Sequence, residues 1–193
     1  MVKMENIIGW EESRLLTADL IGSMTSFSQD IKDKVCNTDG IFALAYQGDE
    51  LSFGLWQEET PKIIFLGEGG ESAKRHFDEG RTGYSTLRRS LTALLWQKLD
   101  LHPIPRTNDE ADVDRFSNYA LDEESDKKLS QWMQGNLQIC FIPLEKAKVL
   151  PSLLGLISYN VPLLNLQNNP ENRYGAEIKN YRKKCEEAAL QTV

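Results

Sequence analysis

The chain has 193 residues, of which 40% are hydrophobic and 26% charged, with a formal net charge of −7. Such a length suits one well-buried core and such a composition excludes disorder, while the acidic balance argues against a protein that coats nucleic acid non-specifically through cationic surface. No run of about 18 apolar residues could span a bilayer, and the first residues hold no continuous apolar stretch ahead of a cleavage site, so a cytoplasmic protein with no membrane partner is expected.

In chain order, residues 11–35 read as loosely helical, with Leu15, Leu16, Ala18, Leu20 and Ile21 as apolar positions, and residues 1–37 are expected to form a helical cover over a sheet. Segments 41–47, 51–56 and 62–66 read as strands. Their connections are short, which fits an antiparallel meander, since parallel pairing needs a crossover of about a dozen residues. The run Ile63-Ile64-Phe65-Leu66 predicts a third strand covered on both faces. After the break at Gly67-Glu68-Gly69-Gly70 comes a short helix over 72–79, then a longer one capped by Ser85, on which Leu87, Leu91, Leu94 and Leu95 form the core stripe. Arg88, Arg89 and Thr92 lie off that stripe and are expected to face outward. His102-Pro103-Ile104-Pro105 ends the helix region, the following stretch to Asn118 reads as loop, 122–133 as a helix with an acidic first turn, and 137–142 as a fourth strand. A short buried helix over 149–157 is predicted to start at or near Pro151, and a charged amphipathic helix over 174–189 closes the chain. Strands precede most helices, which defines an α+β fold: a small central antiparallel sheet of about three strands flanked by helices. One domain spans 1–193, with a core over 38–170 and a terminal helix over 171–193.

Cys36, Cys140 and Cys185 are odd in number and far apart, a pattern of buried thiols rather than of a disulfide framework or zinc site. Between Lys74 and Arg106 seven basic residues meet three acidic ones. Such an island suits a local phosphate site or a solvated helix face. Three clusters could carry chemistry. The glycine turn 67–70 could offer backbone N–H groups to an anion, or serve as a plain strand-to-helix turn. Lys74, Arg75 and His76, with Arg81, Ser85, Arg88 and Arg89 after them, combine guanidinium groups with a hydroxyl-rich turn, a pattern that grips phosphate. Pro162-Leu163-Leu164-Asn165 is a rigid stop followed by an amide, and by itself only a helix exit.

In this order the pieces resemble the GIY-YIG nuclease family. The resemblance rests on Gly40-Ile41-Phe42, Phe65-Leu66-Gly67, Arg75 eight residues after that glycine, Leu156-Ile157 and Pro162-Leu163-Leu164-Asn165. Ser85-Thr86-Leu87-Arg88-Arg89-Ser90-Leu91, Gln131-Trp132-Met133 and Asn165-Leu166-Gln167-Asn168-Asn169-Pro170 look like a bacterial subgroup, and the likeness covers residues 38–185. It implies DNA as substrate and one divalent ion, Mg²⁺ or Mn²⁺, as cofactor if the chain is active. Strand tyrosines would handle the proton, an arginine (Arg75) the phosphate and a glutamate the metal, with an asparagine (Asn165) supporting the site. These types meet the needs of a base, a cation near the phosphoryl oxygens and a hard carboxylate for the metal.

The chain departs from that pattern at the positions that matter most. Phe42 and Phe65 stand where the tyrosines belong, and Leu153 stands where the metal glutamate falls. Tyr46, on the face of Phe42, is a candidate for the proton role or a plain strand aromatic. Glu68 or Glu71 is a candidate metal ligand or a solvated carboxylate. Catalytic candidates are thus Arg75, Tyr46, Asn165 and His76, and DNA-binding candidates are Lys74, Arg81, Ser85, Arg88 and Arg89. Two readings follow: an endonuclease-like protein whose activity is weak or lost, or an inactive pseudonuclease that binds DNA or a protein partner.

Overall fold

The computed structural model describes residues 7–46 and 62–192. In chain order these form α1 (Trp10–Gly22), β1 (Thr25–Ser26), α2 (Gln29–Asn37), β2 (Gly40–Tyr46), β3 (Lys62–Glu68), α3 (Lys74–Phe77) and α4 (Thr86–Leu99). There follow β4 (Pro103–Ile104), β5 (Ala120–Leu121), α5 (Glu123–Asn136), β6 (Leu137–Pro143), α6 (Lys146–Asn160) and α7 (Gly175–Leu190). The fold is α+β. Its described residues fall into two compact units, one drawing on 7–46, 62–74 and 136–172, the other on 75–135 and 173–192.

The first unit holds an antiparallel sheet in the order β1-β6-β2-β3. Alternation along β2 sends Ile41 and Ala43 to one face, where Ile63, Leu66 and Cys140 join Leu20 of α1 and Val149, Leu153, Leu156 and Ile157 of α6 in one core. Phe42, Leu44 and Tyr46 take the opposite face and are also buried. All four residues Ile63 to Leu66 are buried, as their unbroken apolar run predicts. The expected second strand, 51–56, lies outside the described residues. β2 is central because the late strand β6 pairs along its whole length, placing Phe42 opposite Phe141 and Leu44 opposite Ile139.

The free side of β3 is covered by the chain leaving α6. Leu164 N–H donates to the Ile64 carbonyl at 2.8 Å. The Asn165 amide then acts as a strand partner: Leu66 N–H donates to its Oδ1 and its Nδ2 donates to the Leu66 carbonyl, both at 2.9 Å. Open edges invite pairing with other chains, and this cover closes one. Asn169 Nδ2 bonds the carbonyls of Pro162 and Asn165, and Asn172 Nδ2 that of Leu163. The asparagines after Pro162 therefore brace an exit that starts from Val161, a β-branched residue held at φ 46°.

Several local expectations are corrected. The helical stretch 11–35 is two helices, because the chain turns beyond Gly22, pairs Thr25 and Ser26 with β6, and restarts at Ser28, whose side chain caps α2. Pro103 and Ile104, where the helix region ends, form a short strand that pairs with Leu121 and Ala120, while residues 106–118 are loop and turn. α6 begins at Lys146, upstream of Pro151, which sits inside the helix where its missing N–H removes one ladder bond.

In the second unit α4 packs against α7, and the outward-facing expectation for Arg88, Arg89 and Thr92 is overturned: their exposures are 0%, 6% and 0%. Arg88 Nη2 meets Asp126 Oδ2 of α5 at 2.9 Å and also donates to Ser130 Oγ at 2.9 Å. Arg88 Nε donates to Thr82 Oγ1 at 3.0 Å and Nη1 lies 3.7 Å from Met133 Sδ. Asp126 in turn accepts from Thr82 Oγ1 and from Gly80 N–H. A buried charge is tolerated when it is paired and its remaining donors are met, and breaking such a pair from one side costs ~3–5 kcal/mol. Arg88→Ala should therefore lower unfolding stability by about that amount in urea denaturation, and Arg88→Met with Asp126→Leu should lose much less.

Candidate functional site

The sheet face that carries the resemblance is built on a glycine. Phe42 pairs with Gly67, and Leu44 with Phe65. A Cβ on Gly67 would collide with the Phe42 ring and touch that of Phe65, so the missing side chain is what lets the Phe42 ring lie across β3. The two rings sit 5.9 Å apart between centroids, a tilted aromatic pair. Neither ring carries a hydroxyl, so this part of the face is apolar.

Leu153 lies with Ile41 and Ala43 in the core on the opposite side of the sheet from Phe42 and Phe65. Alternation along β2 thus separates Leu153 from the two phenylalanines. Tyr46 shares the Phe42 face and is buried, but four residues along a strand are roughly 13 Å. Its hydroxyl does not occupy the position of a hydroxyl on ring 42. Glu68 ends β3 exposed, and Glu71 is exposed and ion-paired with Lys74 at 2.8 Å. Among the described residues no group of three or more His, Cys, Asp or Glu side chains is gathered as a metal site.

The glycine turn does not present a free anion cradle. Gly69 N–H donates to the Gly40 carbonyl at 2.8 Å and Gly70 N–H to the Val35 carbonyl at 2.7 Å. Gly70 takes φ 94°, a conformation glycine adopts without penalty. The plain turn is the reading the geometry favours.

Arg75 opens the second unit and is exposed, as is Arg81, whose guanidinium lies 5.9 Å from the centre of the exposed Tyr84 ring. His76 and Ser85 are buried: His76 Nδ1 and Ser85 Oγ are 2.8 Å apart, while that Oγ also accepts from Arg88 N–H at 3.0 Å and caps α4. Ser85, Arg88 and Arg89 are thus taken up inside the unit, and of the five DNA-binding candidates Lys74 and Arg81 keep substantial exposure. What the sequence reading missed is Asp126. Its signal was present, because Asp126, Leu129, Ser130 and Met133 follow the i, i+3, i+4, i+7 spacing of a buried helix stripe, and a carboxylate on such a stripe calls for a cation.

The central strand that opens Gly40-Ile41-Phe42 and its neighbour through Phe65-Leu66-Gly67 form the antiparallel heart of an α+β domain. The model of the GIY-YIG catalytic domain matches residues 43–184, well over half of the chain, and the chain belongs to that family. No curated protein and no solved structure matches it. Its function is nuclease-like in kind.

Burial pushes His76 down to about 3, helped by the cations Arg75, Arg88 and Arg89. The ring is therefore neutral in the folded protein, whereas in the unfolded chain it titrates near 6.5. The unfolded state binds the extra proton between these values, so stability is complete above about pH 6.5 and falls on acidification towards 3, with a limiting slope of about 1.4 kcal/mol per pH unit. Urea midpoints should drop between pH 7 and pH 5, and His76→Gln should remove most of that drop. A second expectation concerns the sheet: Gly67→Ala should cost roughly 1–3 kcal/mol through overpacking, and Phe42→Leu in the same chain should recover part of it, read by thermal unfolding.

Proposed function

We propose that this protein engages DNA and that its phosphodiester-cleaving chemistry is weak or lost. The observation that carries the reading is the Phe42–Phe65 pair, two rings without a titratable hydroxyl at the positions where the family's proton-handling tyrosines belong. Leu153 in the core supports it, because the position that the resemblance gives to the metal glutamate carries no carboxylate. Members of the family generally act with a divalent ion, and Mg²⁺ prefers hard carboxylate oxygens. Were Mg²⁺ or Mn²⁺ bound here, it would supply charge neutralisation at a phosphoryl oxygen.

On the binding side, Arg75 is exposed and carries the charge that the family uses at the phosphate. Arg81 and Lys74 add cationic surface, Lys74 shared with Glu71. Asn165 acts as a positioning residue that fixes the edge of β3 through the Leu66 backbone. No helix among the described residues is long and apolar enough to cross a membrane.

The reading is tested with supercoiled plasmid in Mg²⁺, Mn²⁺ or EDTA, beside a salt titration of duplex binding. Binding should weaken with salt, Arg75→Ala should reduce the slope of log K against log salt by about 1, and the plasmid should remain supercoiled or nearly so. Multiple-turnover nicking that needs the metal and vanishes in Arg75→Ala would refute the loss of chemistry; absence of binding at low salt would refute DNA as the partner.

A further inference from the structure

Arg89, next to Arg88 on the same helix, is buried without the compensation its neighbour receives. Its exposure is 6%. Of its five N–H donors, Nη1 is met by the Gly83 carbonyl at 2.6 Å, while Nε is sealed from water with no partner. Among the described residues Nη2 makes no bond and no carboxylate pairs with the group.

The surroundings add positive charge. Tyr119 O–H donates to the Arg89 carbonyl at 2.7 Å and fixes this turn of α4. Arg106 lies over Gly83, where its Cγ and Cδ occupy the space a side chain would fill, and its charge is balanced by Asp112. Arg182 of α7 is half-buried, interacts electrostatically with Arg89, Tyr119 and Cys185, and has no acid partner among the described residues. The balance among the described residues is uneven: three guanidinium groups stand here with one paired carboxylate, that of Asp112, and the most buried of the three has none. Burial first, then Arg182 and Arg106, push Arg89 down to about 10, which leaves it charged at neutral pH.

A buried ion without a counter-charge is strongly unfavourable, and guanidinium groups with unmet donors bind phosphate through paired hydrogen bonds. We infer that Arg89 and Arg182, with Arg106 beside them, form a site for a phosphate oxyanion, either a nucleic-acid backbone phosphate or free phosphate. The site lies wholly within the second unit and does not rest on the reading of the sheet, since it would hold an anion whether or not the chain cuts DNA.

The full chain should be melted in chloride buffers of constant ionic strength with increasing inorganic phosphate. A saturable rise in Tm is expected, absent in Arg182→Ala and in Arg89→Met. Without phosphate, Arg89→Met should melt no lower than the parent, because an apolar side chain of similar length replaces an unpaired charge. A parent that shows no saturable rise, or a rise that survives in Arg182→Ala, overturns the site. If Arg89→Met does not fold, Arg182→Ala decides alone. A second arm measures anisotropy of a labelled oligonucleotide. Binding about tenfold weaker in Arg182→Ala, and competed by inorganic phosphate at fixed ionic strength, identifies a backbone phosphate. A phosphate-dependent Tm with oligonucleotide binding unchanged identifies free phosphate.

Discussion

A guanidinium taken out of water must be matched by a carboxylate or an anion, and the adjacent arginines of α4 meet that demand in different ways. Arg88 is satisfied from within: Asp126, Thr82, Ser130 and Met133 surround it, and through Asp126 the same charge fixes the turn at Gly80. Through Asp126 and Thr82 the pair is tied to the segment between α3 and α4. Arg89 has one carbonyl and two neighbouring cations. The first arginine is architecture, and the second is a charge that no carboxylate among the described residues balances.

The sheet shows a comparable division between frame and chemistry. Gly67 makes room for the Phe42 ring, Asn165 supplies the missing partner along β3, and the core beneath Ile41 and Ala43 is filled by α6. Each feature is a packing or hydrogen-bond requirement, and each survives without any catalytic group. That is physically reasonable, because exchanging a hydroxyl-bearing ring for an apolar one in a buried face removes a polar group that would otherwise need a partner. A family frame can therefore persist after the groups that move protons have gone. The asparagines belong to the frame: their amides hold the backbone from Pro162 onward.

The basic island between Lys74 and Arg106 illustrates why a charge count is a poor map of a surface. Lys74 is neutralised by Glu71, Arg88 by Asp126 and Arg106 by Asp112, while Arg89 is enclosed. Among the described residues Arg75, Arg81 and Lys98 are exposed and have no ion-pair partner. A cationic segment becomes a binding surface only through the side chains that water can reach.

By itself the sequence determined what depends on neighbours a few residues apart. It gave the α+β class, the strands around Gly40 and Phe65, the Ser85 cap on α4, the leucine stripe and the unbroken apolar run of β3, because alternation, helical spacing and capping are local properties. That Phe42 and Phe65, rather than hydroxyl-bearing rings, stand in these strands was equally legible. Only the tertiary structure decided the rest. Arg88 is buried because Asp126, 38 positions later, meets it; β6 pairs with β2 across nearly a hundred residues; and Leu153 faces away from Phe42 because a sheet separates them. Two-residue strands such as β1 and β4 carry too little pattern to be read alone, and the fate of a buried charge depends on a partner that only folding brings near.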